Sequence, residues 1–266
     1  MGVLECVVNI SEGRRRQVVD AVAAAAGGCL LDVHVDGDHH RAVLTLAGDD
    51  DLEAAVRAVV TRAVATIDLR RHTGVHPRLG AVDVVPFAPL DEAVIDDAVA
   101  ARDRFAAWVA TYLDVPVFVY GPERSLPEVR RRAFVDLAPD AGPGSPHPRA
   151  GAVCAGARPV LVAYNLWLAP GATTAEAKAV AAALRGPEVR ALGLEVAGRA
   201  QVSMNLVDPG AVGPAQVYDA VASRVAVDHA ELVGLAPMAV VDAVEPARRS
   251  QLDLDASRTI ESRLAR

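Results

Sequence analysis

The chain contains little cysteine, and none of it lies in a recognisable motif. Its three cysteines, Cys6, Cys29 and Cys154, are widely spaced and form no CxxC pair. An odd number of dispersed cysteines argues against a disulfide framework and against a zinc site, whose ligands follow characteristic spacings. The sequence therefore predicts three reduced thiols in the core of a cytoplasmic protein.

Long apolar runs are also lacking. Hydrophobic residues make up 52% of the chain, but they are mainly Ala and Val in short runs, none of which approaches the ~18 residues of a membrane helix. The N-terminal residues have neither the basic region nor the apolar segment of a secretion signal. We therefore expect a cytoplasmic protein that has no membrane partner.

The chain has no excess of positive charge. Its formal net charge is −7, whereas recognition of nucleic-acid phosphates requires clustered positive charge. The sequence also lacks a P-loop, a GxGxxG and a GxSxG, which are signatures of nucleotide binding and of nucleophilic hydrolysis. These absences predict that the protein has no nucleic-acid partner.

What the sequence does have is apolar periodicity, and this periodicity predicts one pattern twice. The pattern is strand, helix, two strands, helix, strand, which is the ferredoxin-like βαββαβ unit. Its first copy is predicted at residues 4–10, 14–26, 29–35, 42–47, 52–67 and 81–87, followed by a helix at 90–113, a strand at 115–120 and a helix at 126–137. Its second copy is predicted at 160–168, 174–184, 192–196, 200–207, 214–227 and 231–235, with a last helix from residue 253.

The segment 139–151 separates the two copies. It contains four prolines and three glycines, which favour a loop over a helix or a central strand. We place the boundary after residue 157, so that the predicted domains are 1–157 and 158–266. The predicted fold class is α/β (α+β): two ferredoxin-like subdomains with mainly antiparallel or mixed sheets and with helices packed on them.

The segment 69–87 is the strongest candidate for a functional site. It joins a periodic helix to an apolar strand through a loop rich in His, Arg, Gly and Pro. Loops held between rigid elements often carry chemistry. His76 lies there in an HPR triplet flanked by glycines, where an exposed imidazole suits proton transfer at neutral pH. The alternative is a loop histidine that hydrogen-bonds a backbone carbonyl group.

Other polar side chains are candidates for substrate binding. Arg41 and Arg78 suit a carboxylate, because a guanidinium group binds one in bidentate fashion. Gln201 and Asn205 share one face of a strand, which predicts either a lined cleft or a solvent-exposed sheet face. The predicted substrate-binding residues are His34, Asp36, Arg41, His72, Arg78, Gln201 and Asn205.

A metal-dependent hydrolase is a further alternative, because histidines and aspartates are concentrated around the 34–40 hairpin. The sequence contains no established metal-ligand spacing, so we assign no metal site. The ligands of such a site would be His34, His39, His72 and His76.

Several stretches, in order along the chain, resemble one known family. They read ECVVNISEGR from Glu5, LLDVHVDGDHHR from Leu30, RRHTGVHPRLGAVDVVPF from Arg70, PVFVYG from Pro116, QVSMNLVD from Gln201 and ELVGLAP from Glu231. The chain thus resembles the glutamate formimidoyltransferases over nearly its whole length. The resemblance implies two α/β subdomains that form a cleft, a homodimer, and transfer of a formimidoyl group from N-formimidoyl-L-glutamate to tetrahydrofolate as co-substrate.

The resemblance also implies residue roles and a metabolic setting. The family's catalytic histidine corresponds to His76, and the setting is histidine catabolism and one-carbon metabolism. The family is often fused to a cyclodeaminase domain, and we expect this chain to be the transferase part alone. The family's folate-binding loop corresponds to Gly142, Pro143, Gly144, Ser145, Pro146, His147, Pro148, Arg149, Ala150 and Gly151.

The chain departs from the family pattern at His34, His40 and Val75 and within the 142–151 loop. The family usually has an aspartate, an asparagine and a glutamate at the first three positions. These changes keep open a non-catalytic or diverged ligand-binding protein on the same fold. The first hypothesis is folate-dependent formimidoyl transfer from formimidoylglutamate or a related amidine donor.

Overall fold

The chain folds as two compact units in the computed structural model. The structure describes residues 2–73, 78–90 and 93–265. The first unit ends at Pro159 and the second begins at Val160. Within the described residues, the first unit has a six-stranded sheet and the second a four-stranded sheet, and each sheet has its own apolar core.

The first unit contains strands β1 (Leu4–Ile10), β2 (Leu30–Asp36), β3 (Arg41–Gly48), β4 (Val82–Pro89), β5 (Val117–Tyr120) and β6 (Val153–Ala157). They lie in the order β2-β3-β1-β4-β6-β5. The neighbouring pairs β2–β3, β3–β1 and β1–β4 are antiparallel, whereas the pairs β4–β6 and β6–β5 are parallel. The first four strands therefore have the ferredoxin-like order, and two parallel strands extend the sheet on the β4 side.

Helices cover both faces of this sheet. They are α1 (Arg16–Ala23), α2 (Leu52–Thr66), α3 (Ile95–Leu113) and α4 (Leu126–Arg132). The apolar residues of α2 recur every three or four positions, so one stripe of the helix is buried against the strands. On the other face, Val129 of α4 packs in a cluster with Val84, Phe118 and Cys154. The β4-β6-β5 part of the sheet is thus covered on both sides.

The second unit repeats the ferredoxin-like order. Its elements are β7 (Val162–Leu168), α5 (Thr174–Leu184), β8 (Val189–Val196), β9 (Arg199–Leu206), α6 (Pro214–Ala222), β10 (Val227–Val233), α7 (Met238–Asp242), α8 (Pro246–Arg249) and α9 (Ile260–Leu264). The strand order is β10-β7-β9-β8, with all pairs antiparallel. A Cβ on Gly193 of β8 would lie 2.2 Å from the Lys178 backbone nitrogen of α5, so this helix packs directly on the sheet. The predicted fold class is confirmed.

The structure differs from the predicted elements in several places, including the following. Strand β6 was not predicted; it is a short apolar run without alternation, because neighbours bury both of its faces. The helix predicted at 126–137 ends at Arg132, and Phe134 has a left-handed φ of 60°. The helix predicted at 214–227 ends at Ala222, before β10. The predicted last helix from residue 253 is instead a 3-10 turn followed by the five-residue α9.

Cys6, Cys29 and Cys154 are buried free thiols. None of the helices in the described part of the chain is both long enough and apolar enough to cross a membrane.

Candidate functional site

The two predicted sites of the first unit, the 69–87 segment and the 142–151 loop, lie against each other. Backbone hydrogen bonds of 2.8–2.9 Å join them on both sides of residues 74–77. The bonds are Leu69 N–H to the Arg149 oxygen, Ala81 N–H to the Ala150 oxygen, and Ala152 N–H to the Leu79 oxygen. The predicted folate loop is therefore fixed beside the segment that carries His76, although His76 itself lies outside the described residues.

Two glycines allow this close approach. Gly80 and Gly151 form an antiparallel bridge. A Cβ on Gly80 would lie 2.0 Å from the Ala152 carbonyl oxygen, and a Cβ on Gly151 would lie 2.1 Å from the Leu79 carbonyl oxygen. Gly151 also has a left-handed φ of 68°, which other residues adopt only with strain. Neither position accommodates a side chain.

His147 shapes the loop from within. Its Nδ1 accepts hydrogen bonds from the backbone N–H groups of Ala150 (2.9 Å) and Arg149 (3.2 Å). Its own backbone N–H and carbonyl group pair with those of Gly151. The imidazole therefore stabilises the loop conformation. Exposed loop residues are Gly142, Gly144, Ser145, Pro146, Pro148 and Arg149.

His72 is held by the neighbouring hairpin and by Arg78. Its Nε2 lies 2.9 Å from the His40 carbonyl oxygen, and its ring stacks on the His40 ring with a centroid separation of 3.9 Å. The Arg78 guanidinium lies against the His72 ring, in contact with Nδ1 and 2.8 Å from Nε2. Both ring nitrogens of this predicted substrate-binding residue are thus engaged by protein groups.

Glu12 is buried next to His40, with 1% of its surface exposed. Its carboxylate accepts from the backbone N–H groups of Arg14 and Arg15, both at 2.9 Å, and meets His40 Nε2 at 3.2 Å. Burial would raise the pKa of Glu12, but these N–H donors and the Arg15 guanidinium outweigh burial and lower it. Glu12 is therefore a buried carboxylate that remains ionised at neutral pH.

The β2–β3 hairpin supplies three more predicted residues. Asp36 and Arg41 face each other across the pair, and His34 pairs with Val43. Asp36 accepts from the backbone N–H groups of residues 38 and 39 and from the His39 ring, so it fixes the turn. Burial would raise the pKa of Asp36, yet the His39 side chain and these N–H groups lower it to about 2.

A pKa that is lower in the folded protein than in the unfolded chain means that the ionised carboxylate stabilises the fold. Replacing Asp36 with asparagine is therefore expected to lower the free energy of unfolding by about 2 kcal/mol above pH 5. This contribution is present above the ordinary pKa of an aspartate and is lost as the pH falls from about 4 toward 2. Urea unfolding of wild type and Asp36→Asn at several pH values measures it. Asp38→Asn is the control, because Asp38 is exposed in the same turn; equal losses in both variants would contradict the assignment.

Arg78 is half-buried among charged groups. Burial lowers the pKa of Arg78; the Asp83 carboxylate opposes this effect, and the cations of Arg130 and Arg14 reinforce it. Asp83, near the start of β4, accepts hydrogen bonds from Arg130 of α4 at 2.5 Å and from the Leu79 N–H at 2.6 Å. The bond to Arg130 holds α4 next to β4. The resulting group of guanidinium side chains suits an anionic substrate.

In the second unit, the sheet face opposite the helices carries buried amides. Gln201 of β9 is 0% exposed, and neither its amide oxygen nor its amide nitrogen has a hydrogen-bond partner among the residues that the structure describes. Asn165 of the adjacent β7 is 4% exposed but donates to Glu231 at 3.0 Å, and Trp167 donates to the same carboxylate at 2.9 Å. Asn205 is half-buried on the same face as Gln201. Burying an unpaired amide is costly, so the Gln201 side chain occupies an unfavourable position in this sheet.

The chain is similar to proteins of one family over most of its length. Residues 3–158 match the model of the formiminotransferase domain, N-terminal subdomain. The chain is 34% identical to the glutamate formimidoyltransferase of Streptococcus pyogenes serotype M1, with 91% of this chain and 92% of that protein covered. The protein of the same name from Thermoplasma acidophilum is also 34% identical, with 91% of each chain covered.

The chain belongs to the formiminotransferase family. It is accordingly an enzyme of the transferase class, similar to the glutamate formimidoyltransferases. A formimidoyltransferase-cyclodeaminase from Sus scrofa is 35% identical over 90% of this chain but over only 51% of its own length. The chain therefore aligns with about half of that two-part relative.

Within this member of the family, the described residues contain no group of three His, Cys, Asp or Glu side chains arranged to hold a metal ion. Sequence reasoning missed Glu12 and gave His40 no role. The only sequence signal for Glu12 was its place in the family-like stretch ECVVNISEGR, since its contacts come from residues distant in the chain.

Proposed function

We propose that this formiminotransferase transfers a formimidoyl group from N-formimidoyl-L-glutamate, or a related amidine donor, to tetrahydrofolate. The observation that carries the proposal is the set of backbone bonds joining the 142–151 loop to the segments on both sides of residues 74–77. A loop for the acceptor and a segment for proton transfer must be adjacent for group transfer to occur.

The loop fits a folate in its chemistry. It exposes Pro146 and Pro148, whose rings can pack on a flat pterin, together with the Arg149 guanidinium, which can meet a carboxylate. When bound, tetrahydrofolate supplies N5 as the nucleophile for the amidine carbon of the donor. We assign Gly142 to Gly151 to hold it.

The reaction requires a proton to move twice. His76 accepts the proton that leaves N5 as the new C–N bond forms. It then gives this proton to the glutamate nitrogen as the old C–N bond breaks, so one imidazole acts first as base and then as acid. Arg41 and Arg78 hold donor carboxylates, while His34 and Asp36 border that position on the hairpin. His72, on the 69–87 segment, is the remaining substrate-binding residue that we assign to the first subdomain.

The proposal includes the organisation of the chain. Residues 1–157 form the N-terminal formiminotransferase subdomain and residues 158–266 the C-terminal one. The protein acts as a cytoplasmic homodimer in histidine catabolism and one-carbon metabolism. Gln201 and Asn205 are the substrate contacts of the second subdomain.

Replacing Gln201 with leucine is expected to leave the protein as stable as wild type or up to about 1 kcal/mol more stable, because an unpaired buried amide is removed. The same change is expected to raise KM for formimidoylglutamate about tenfold, the effect of losing one or two hydrogen bonds. Urea unfolding and steady-state kinetics measure the two effects.

Asn165→Leu is the matched control, since Asn165 is a buried amide on the same sheet face that does have a partner. We expect it to destabilise the protein by about 1–3 kcal/mol. Equal destabilisation by both substitutions would contradict the assignment of Gln201 as a ligand contact.

The proposed reaction is tested by incubating the purified protein with formimidoylglutamate and tetrahydrofolate and following both products by mass spectrometry. Calorimetry with tetrahydrofolate alone is run in parallel. Transfer at a rate proportional to enzyme supports the proposal. Binding of tetrahydrofolate without transfer would favour the ligand-binding alternative. If the protein showed no binding and no transfer, both folate-based hypotheses would be rejected.

A further inference from the structure

His147 lies between two prolines, and its ring serves as the acceptor for the turn that follows it. Pro148 has no N–H group, so the first donors after His147 are the N–H groups of Arg149 and Ala150. Both donate to His147 Nδ1, at 3.2 and 2.9 Å. A ring nitrogen that accepts hydrogen bonds carries no hydrogen of its own, so this geometry requires the neutral imidazole with its hydrogen on Nε2.

The peptide units held by His147 are also those that join the loop to the 69–87 segment. The unit that links residues 149 and 150 donates its N–H to the His147 ring, and its carbonyl oxygen accepts from the Leu69 N–H at 2.9 Å. The next unit donates to the His147 carbonyl oxygen at 2.8 Å and accepts from the Ala81 N–H at 2.8 Å. Two consecutive peptide units are therefore bonded to His147 on one side and to the segment on the other.

A proton on Nδ1 is incompatible with this arrangement. An imidazolium has an N–H at each ring nitrogen and no acceptor, so the N–H groups of Arg149 and Ala150 would face another donor. The turn would then have to open for water to accept from them. Histidine is the side chain that ordinarily titrates between pH 5 and 8. The charge of this one ring thus decides whether the backbone of the turn is held.

The other charged groups on the segments that meet at this turn are Arg149, Asp68, Arg70, Arg78 and Asp83. Asp68 lies 2.6 Å from Arg70 and 3.6 Å from Arg149, and the hydrogen bond from Arg70 lowers the pKa of Asp68. Asp83 accepts from a guanidinium group of α4 at 2.5 Å. Carboxylates and guanidinium groups ordinarily titrate outside the range from pH 5 to 8. A second imidazole, that of His72, lies against Arg78 and makes no bond to the turn.

We propose that His147 is a positioning residue for the tetrahydrofolate loop and that a proton on its ring controls this role. The neutral imidazole holds the peptide units from residue 149 to residue 151 against the 69–87 segment. Protonation at Nδ1 releases them and weakens tetrahydrofolate binding. The inference rests on the proposed function for the identity of this ligand. His147 acts through the backbone of the loop and takes no part in proton transfer to the substrate.

Two amide substitutions separate the acceptor from the proton. His147→Asn places an amide oxygen where Nδ1 lies, so it can accept from the same N–H groups, but it does not titrate. His147→Gln carries the same amide one methylene further out, near the position of Nε2. At pH 7.5 we expect the Kd for tetrahydrofolate to stay within about threefold of wild type in His147→Asn and to rise about tenfold in His147→Gln, which loses both hydrogen bonds.

The pH dependence of binding tests the role of the proton. Calorimetry with tetrahydrofolate is run at pH 7.5 and at pH 5.5. We expect the Kd of the wild type, divided by that of His147→Asn at the same pH, to rise about threefold to tenfold on acidification. This ratio removes the titration of the ligand, of His72 and of His76, which both proteins share. His229→Asn, the same change at an exposed histidine of the second unit, is expected to keep the wild-type pH dependence.

A second measurement needs no ligand. Amide hydrogen exchange, corrected for the intrinsic effect of pH, gives the protection of the Arg149 and Ala150 N–H groups. We expect this protection to fall between pH 7.5 and pH 5.5 in the wild type and to stay constant in His147→Asn. Nitrogen NMR of the His147 ring at pH 7.5 is expected to show a hydrogen on Nε2 and none on Nδ1.

The outcomes are distinguishable. Wild-type protein that binds no tetrahydrofolate at either pH would reject the proposed function, while hydrogen exchange would still decide whether His147 holds the turn. A hydrogen on Nδ1 at pH 7.5, equal pH dependence in wild type and His147→Asn, or wild-type affinity and protection in His147→Gln would each overturn the inference. Circular dichroism confirms folding, and if His147→Gln does not fold, the comparison of wild type with His147→Asn decides alone.

Discussion

Replacing His76 with alanine is expected to lower kcat for formimidoyl transfer by about 10²–10⁴-fold, the usual contribution of a positioned acid–base group. In the proposed mechanism, the same imidazole removes the proton from N5 and supplies it to the departing nitrogen. KM for both substrates is expected to change little, since neither proton step contributes to ground-state binding. Steady-state kinetics with saturating tetrahydrofolate measures the effect.

His229→Ala is the control for this substitution. His229 belongs to the second unit and its side chain is 51% exposed, so its removal is expected to leave kcat unchanged. A His76→Ala protein that transfers the group at the wild-type rate would remove His76 from the mechanism and would leave the family relationship intact.

Replacing Gly151 with alanine is expected to detach the 142–151 loop from the 69–87 segment. The added Cβ would lie 2.1 Å from the Leu79 carbonyl oxygen, and the left-handed φ would be strained in alanine. We expect a loss of about 2–4 kcal/mol in the free energy of unfolding, the sum of an overpacking and a backbone-strain contribution. We also expect tetrahydrofolate binding to weaken by at least about tenfold, because the loop loses its fixed geometry.

Gly144→Ala is the matched control for stability. Gly144 lies in the same loop, but a Cβ there would meet no atom within 4 Å. Its free energy of unfolding is therefore expected to match that of wild type. If urea unfolding gave equal losses for Gly144→Ala and Gly151→Ala, the close packing of Gly151 against Leu79 would not be what stabilises the loop.

Apolar patterns were sufficient to predict the repeated βαββαβ unit. Strand β1 alternates because only one of its faces enters the main core, and α2 shows a stripe because only one side contacts the sheet. Strand β6 has no such signal. Its five residues, VCAGA, are all buried, so their order contains no period that distinguishes a strand from a loop.

For the candidate site, residue chemistry indicated the segment but not its partners. His, Arg and Gly in the 69–87 segment suggested function directly. Glu12 contacts His40, which is 28 positions away in the sequence, and His40 is brought to Glu12 by a turn that Asp36 stabilises. The contacts of the 142–151 loop are hydrogen bonds between backbone groups. Because every residue has these groups, the amino-acid types in the sequence do not indicate which of them pair.

The 142–151 loop leads directly into β6, a central strand, and its last residue is bridged to Gly80. The last residues of the loop are consequently fixed as an extension of the sheet. Association then loses little chain entropy, because few backbone torsions remain to be fixed. If tetrahydrofolate binds this loop as proposed, the heat-capacity change of binding is expected to match the apolar area that the ligand covers, without the larger negative value that accompanies coupled folding of a loop.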